Sequence, residues 1–224
     1  VMMANQKFSV VIPVYNSEKT LVELTDRLSA TFSKISGEYE IILIDDCSSD
    51  KSWQVLENIH QKNSNVKIIH LQKNFGQHNA VLCGLNYARG DYIITMDDDL
   101  QNPPEEIPKL IDKMQEGYPV VYGRYKIKQH SRIENFFSRR FQTLVHWILD
   151  IPNTVFISSF AIFTSDVVKN MTHIKSSYIF LPALVRNSVP ANKIANTEVA
   201  HHPRMAGKSN YNIGKYLTLS LNLI

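Results

Sequence analysis

The chain has 224 residues, 44% hydrophobic and 20% charged, which is ordinary globular composition and rules against disorder. Its formal net charge of +3 is too weak to argue for nucleic acid as a partner, and Cys47 and Cys83 lie in unrelated segments without CxxC spacing, so neither a zinc site nor a disulfide framework is suggested. No apolar run reaches the roughly 20 residues that a membrane-spanning helix needs, no signal peptide precedes Phe8, and a reducing cytosolic compartment is the simplest reading.

The β-branched run from Phe8 to Val14 reads as a strand buried on both faces, and Tyr15-Asn16-Ser17 turns it into a helix from about Glu18 to Ser33. Glu40 to Ile44 repeats the pattern and ends in Asp45-Asp46-Cys47-Ser48-Ser49-Asp50, with Asp50 placed to cap a helix through Trp53, Val55 and Leu56. A third strand, Val66 to Leu71, leads through Asn74-Phe75-Gly76-Gln77 into an apolar helix that Gly90 is expected to close. The β-prone run Asp91 to Ile94 is followed by Thr95-Met96-Asp97-Asp98-Asp99-Leu100-Gln101-Asn102, a helix opened by Pro103-Pro104, and a strand at Val120-Val121-Tyr122. Further on, a strand is expected around Ser158 to Phe163, short helices at Asp166 to Met171 and Ile179 to Val185, and a late strand at Thr197 to His202. Alternating strands and helices predict a Rossmann-like, doubly wound, mostly parallel α/β sheet with flanking helices. There is no internal repeat or linker, so residues 1–224 form one domain.

Three adjacent carboxylates repel one another unless something positive sits among them, and a short acidic turn after a buried strand suits a hard divalent cation. If that segment is extended, Asp97 and Asp99 share a face with Gln101 while Asp98 points elsewhere. A solvated acidic loop capping the following helix is the plainer alternative. The clusters at residues 13–17, 45–50, 74–77 and 97–101 all fall at the carboxyl ends of predicted strands, where open α/β sheets bind ligands. Neither GxGxxG nor GxxxxGK[ST] is present, which removes the main support for dinucleotide and P-loop folds.

Past Tyr122 the sequence turns basic: Arg124, Lys126, Lys128, Arg132, Arg139 and Arg140 lie among Phe136, Phe137, Phe141 and Trp147. Such a segment lies on an anionic membrane surface or grips a phosphate, the alternative being the solvated face of a core helix. Arg204 and Lys208 flank Gly207 in a loop suited to closing on phosphate oxygens. The increasingly apolar final stretch, Tyr216 to Ile224, is expected to lead towards a membrane segment.

The ordered set Val11-Ile12-Pro13-Val14-Tyr15-Asn16, Ile44-Asp45-Asp46-Cys47-Ser48-Ser49-Asp50, Asn74-Phe75-Gly76-Gln77-His78 and Asp97-Asp98-Asp99-Leu100-Gln101-Asn102-Pro103-Pro104-Glu105 resembles the family 2 inverting glycosyltransferases with the GT-A fold, and more narrowly their polyprenyl-phosphate branch. The resemblance implies a nucleotide-sugar-binding half at 1–123 and an acceptor-binding half at 124–224 that begins a membrane-proximal segment. It implies a donor held by Pro13, Tyr15, Asn16, Asp45 or Asp46 at the base, Gly76, Asp97 and Asp98. Mg²⁺ or Mn²⁺ would be held by Asp97, Asp99 and Gln101, with Asp97, Asp99 and Arg124 as catalytic residues. The acceptor phosphate would meet Arg132, Arg139, Arg140, Arg204 or Lys208, at the cytoplasmic face of a membrane, and a homo-oligomer is a further partner that the resemblance allows. Where many such enzymes carry an Asp and an Arg flanking a Phe, this chain has Ser159 and Ala161 around Phe160. A missing base suits a polyprenyl-phosphate acceptor better than a saccharide hydroxyl, unless Asp98, Asp150 or Asp166 supplies the base, and makes Ser159 look replaceable. A family relative acting on a saccharide and a non-catalytic nucleotide-binding membrane subunit are the alternatives.

Overall fold

The computed structural model describes residues 6–125, 149, 151–174 and 179–203. In its first half it alternates β1 (Lys7–Val14), α1 (Leu21–Phe32), β2 (Glu38–Asp45), α2 (Ser52–Lys62), β3 (Val66–His70), α3 (Gln77–Tyr87) and β4 (Tyr92–Thr95). A 3-10 turn at Pro104–Glu106 opens α4 (Ile107–Gln115), which leads to β5 (Val120–Tyr125). Then come β6 (Ala161–Thr164), α5 (Ser165–His173), α6 (Leu181–Ser188), a 3-10 turn at Ala191–Lys193 and β7 (Ile194–Val199).

The strands are apolar at both parities, and that is why the sheet is covered on both faces. Val10, Ile12 and Val14 of β1 pack with Leu21, Leu24 and Leu28 of α1 and with α4, whereas Val11 joins Ala80, Val81 and Leu85 of α3 in the opposite layer. In α4, Ile107, Leu110, Ile111 and Met114 are buried. That i, i+3, i+4, i+7 stripe is the amphipathic pattern of a helix on a sheet, at about 1.5–3 kcal/mol for each large side chain removed from water.

The described strands form one sheet in the order β3-β2-β1-β4-β6-β5-β7. Strand β1 pairs parallel with both β2 and β4, and β3 parallel with β2. Strand β6 runs antiparallel to both its neighbours, β4 and β5, and β5 pairs parallel with β7. The chain moves outward from β1 through β2 to β3, then returns across β1 to place β4 on its other side. The crevice beyond the carboxyl ends of β1 and β4 is therefore the point where the winding reverses.

The late strand begins three residues before the sequence suggested, because its register on β5 pairs Ile194 with Val120 and Val199 with Tyr125. His201 and His202 consequently lie beyond it. Lys51 rather than Asp50 is the residue before α2, although Asp50 Oδ1 still accepts the Ser52 N–H at 2.9 Å.

Gly90 is not the residue that closes α3, which ends with Ala88 in an extended conformation. What requires glycine there is space: a Cβ would stand 2.6 Å from Ser9 N, 2.8 Å from Phe8 C and 2.9 Å from Lys7 O. Backbone atoms of β1 cannot swing aside as a flexible side chain could. Gly90→Ala is therefore expected to lower stability by about 1–3 kcal/mol, the usual range for overpacking, read as a lower urea midpoint with an unchanged slope.

Candidate active site

The loops that leave β1, β2, β3 and β4 are tied together by side chain to backbone hydrogen bonds. Asn16 Oδ1 accepts from Ser49 N at 2.8 Å, and Asn16 N donates to Ser48 Oγ at 2.9 Å. Ser17 N donates to Ser52 Oγ at 2.8 Å, and Lys51 N to Glu18 Oε2 at 3.0 Å. Asp46 Oδ1 and Oδ2 accept from Phe75 N at 2.7 Å and Gly76 N at 2.8 Å, which fastens the start of α3 to the end of β2. Burial raises the Asp46 pKa, and those two N–H donors oppose the rise. Asp45 is fully buried, 2.8 Å from His70 Nδ1, and the His70 ring lies against Trp53.

Strand β4 ends at Thr95, so the acidic segment is not extended and the alternation expected from sequence does not operate. Each carboxylate is instead held separately. Asp97 Oδ1 accepts from Gln77 Nε2 at 2.6 Å and its Oδ2 from Ser159 Oγ at 2.5 Å. Asp98 Oδ2 accepts from Tyr15 N at 3.2 Å, and Asp99 Oδ1 from Gln101 N at 3.1 Å. Asp98 thus takes a different partner from the other two, a backbone donor on the loop after β1. Burial pushes the Asp98 carboxyl up to about 7, against the lowering effect of hydrogen bonds from Ser17 and Tyr15, with Asp97 and Asp99 adding to the rise. Between Asp99 and Gln101, Leu100 has φ 61° and is buried in the core.

The segment after β7 docks on the same tip. His202 N donates to Gln101 O at 2.8 Å, Gln101 Nε2 lies 3.4 Å from His202 O, and Ala200 N donates to Glu106 Oε2 at 2.8 Å. The His201 ring stacks on Tyr125 with centroids 4.2 Å apart. Tyr125, at the end of β5, is raised in pKa chiefly by burial, with Asp97 adding to the rise and the Ser158 and Ser159 hydroxyls opposing it. Arg27 braces the far side of the tip through a two-point pairing with Glu105, Nε to Oε1 at 2.9 Å and a terminal nitrogen to Oε2 at 2.7 Å.

Tyr15, Asn16, Asp45, Asp46, Gly76, Asp97, Asp98, Asp99 and Gln101 therefore stand around one edge, with Pro13 at the end of β1. Arg124 is exposed near the carboxyl end of β5, opposite Glu198 of β7. Arg132, Arg139, Arg140, Arg204 and Lys208 lie outside the described residues. Gln77, Ser159 and Tyr125 join the site without having been singled out for it. Gln77 belongs to a motif already noticed, but nothing local marks Tyr125 or the reach of Ser159, which depend on β6 and β5 lying beside β4.

Among the described residues no group of three or more His, Cys, Asp and Glu side chains is arranged to hold a metal. Two carboxylates and an amide oxygen are nevertheless the hard donor set that Mg²⁺ and Mn²⁺ accept when a ligand's phosphates and water complete the shell. No helix among the described residues is long and apolar enough to cross a membrane.

Known proteins identify the family and the fold. Residues 9–172 match the model of the family described as Glycosyl transferase family 2. The chain is 37% identical over 224 residues to an undecaprenyl-phosphate 4-deoxy-4-formamido-L-arabinose transferase of Edwardsiella ictaluri, an alignment covering 98% of this chain and 67% of that one. A transferase of the same name from Proteus mirabilis is 36% identical, covering 97% and 67% of the two chains. Among solved structures, glucosyl-3-phosphoglycerate synthase from Mycobacterium tuberculosis, in complex with Mn²⁺, UDP-glucose and phosphoglyceric acid, superposes with a TM-score of 0.67 at 17% identity, over 97% of this chain and 77% of that one. The GT-A architecture is thus shared at a distance, and the nearer sequence matches, with the family model spanning most of the sheet, establish that the chain belongs to glycosyl transferase family 2.

Proposed function

We propose that this glycosyltransferase is metal-dependent and inverting, and that it moves a sugar from a nucleotide-sugar donor to a polyprenyl-phosphate acceptor at the cytoplasmic face of a membrane. The observation that carries the reading is the acidic tip at the reversal of the sheet, where Asp97, Asp98 and Asp99 are each fixed by a different hydrogen bond. The name carried by the two relatives above supports the acceptor.

In this reading Pro13, Tyr15 and Asn16 receive the nucleoside, with Asp45 or Asp46 at the base and Gly76 and Asp98 completing the donor pocket. Asp46, with both oxygens engaged by Phe75 N and Gly76 N, shapes the wall as well as lining it. Asp97 faces the ribose and the cation, and Asp99 and Gln101 supply the other oxygens. A cation bound there supplies charge neutralisation to the departing nucleoside diphosphate, the electrostatic contribution that usually counts most. Arg124, together with Arg132, Arg139, Arg140, Arg204 and Lys208, is assigned by charge to the acceptor phosphate and the membrane surface.

The proton inventory favours a phosphate acceptor. A hydroxyl acceptor must lose a proton to a positioned base as it attacks. A phosphate monoester has a second pKa of about 6 and arrives already ionised. Ser159 has its hydroxyl committed to Asp97, and a serine there is no obstacle to an acceptor that needs no base.

Asp99→Ala is expected to lower sugar transfer to polyprenyl phosphate in detergent by at least about a hundredfold, the scale of losing one main electrostatic contact, with radiolabelled sugar as the readout. Equal turnover with a saccharide in place of the lipid phosphate would overturn the acceptor assignment. A matching nucleotide, tried as UDP and GDP with Mn²⁺ at about a hundred times its Kd, should stabilise the chain by about 2.7 kcal/mol. For a protein of this size that is a rise in Tm of roughly 5–10 °C, and no rise with any nucleotide would count against a donor site.

A further inference from the structure

The role of Ser159 is larger than its replaceable appearance in the sequence. Its hydroxyl reaches Asp97 Oδ2 at 2.5 Å while Gln77 Nε2 reaches Asp97 Oδ1 at 2.6 Å. The two donors come from different parts of the fold. Gln77 is the first residue of α3, and Ser159 lies two residues before β6, the antiparallel neighbour of β4.

Ser159 is in turn held in place. Its carbonyl accepts from Thr95 Oγ1 at 2.8 Å, so the end of β4 and the entry to β6 are locked just below the tip. The neighbouring Ser158 hydroxyl is 2.8 Å from Gly123 O and 2.9 Å from Phe160 O.

We propose that Ser159 is a positioning residue for Asp97: with Gln77 it clamps both carboxylate oxygens, and so fixes the plane in which Asp97 meets the cation and the donor. The proposal rests on the metal-dependent reading given above and adds to it the device that keeps Asp97 in place. An aspartate's second torsion is broad and roughly two-fold, and Asp97 adjoins two further acids that would drive it outward. Two hydrogen bonds to an ionised acceptor, each stronger than a neutral one, remove that freedom. Where many of the resembled enzymes carry an Asp, this chain carries a hydrogen-bond donor, so here the position holds Asp97 instead of supplying a base. A donor at residue 159 and an acceptor molecule that needs no base are consistent with each other.

The test is Mn²⁺ uptake by the whole chain, followed by the loss of the free-ion EPR signal, for Ser159→Ala and Ser159→Thr, with donor KM and kcat measured in parallel. Loss of one hydrogen bond to a charged group predicts an Mn²⁺ Kd about tenfold higher in Ser159→Ala, with donor KM rising in step. Ser159→Thr, which keeps the hydroxyl, should stay within about twofold of the unaltered chain. Equal Mn²⁺ affinity in the unaltered chain and Ser159→Ala overturns the clamp, as does a Thr variant no better than Ala. Failure of the unaltered chain to take up Mn²⁺ overturns the metal-dependent reading and the clamp together, and is visible before any variant is compared. A fall in kcat alone, with Mn²⁺ affinity and KM unchanged, would place Ser159 on the reacting atoms and also overturn the positioning role.

Discussion

Repulsion among three consecutive carboxylates is the constraint that the rest of this edge answers. At Asp97, Asp98 and Asp99 the chain does not disperse the charge into solvent; it fixes each acid with a donor from a different element: Gln77 and Ser159, the Tyr15 amide, and the Gln101 amide. Leu100 turns inward between them and anchors the loop in the core. Donors can converge in this way only because β4 lies between β1 and β6, so the sheet order that defines the crevice also supplies the means of holding acids in it. A site assembled like this meets positive charge with little rearrangement, which is how a fixed polar environment outperforms water.

The surrounding loops divide into two walls. On one side Asn16, Glu18, Ser48 and Ser52 join the turns after β1 and β2, while Asp46 carries the start of α3. On the other, the backbone of His202 and Ala200 is bound to Gln101 and Glu106, and His201 rests on Tyr125. Gln101 belongs to both the tip and the second wall. Any ligand held by its side chain therefore acts on the segment that leads towards Arg204 and Lys208.

Much of this was legible in residue order, and the reasons differ by element. Strands β1 to β4 announce themselves because each is a short apolar run followed by polar turn residues, and their shared edge follows from alternation with helices. The family resemblance likewise rests on contiguous motifs. Several physical arguments drawn from local sequence nevertheless gave way to tertiary ones. Gly90 serves close approach to β1 rather than the end of α3, and Asp98 is held by the Tyr15 amide rather than by strand geometry. Ser159 and Tyr125 were illegible because their place depends on how β6 and β5 are threaded beside β4, an arrangement that no local period encodes.

Asn16, Cys47 and Leu100 have φ of 55°, 60° and 61°, a conformation that glycine adopts freely and that costs other residues on the order of 1 kcal/mol or more. All three sit in the turns after β1, β2 and β4. The fold itself imposes that tension, so these turns owe their shape to the contacts that over-determine them rather than to local preference.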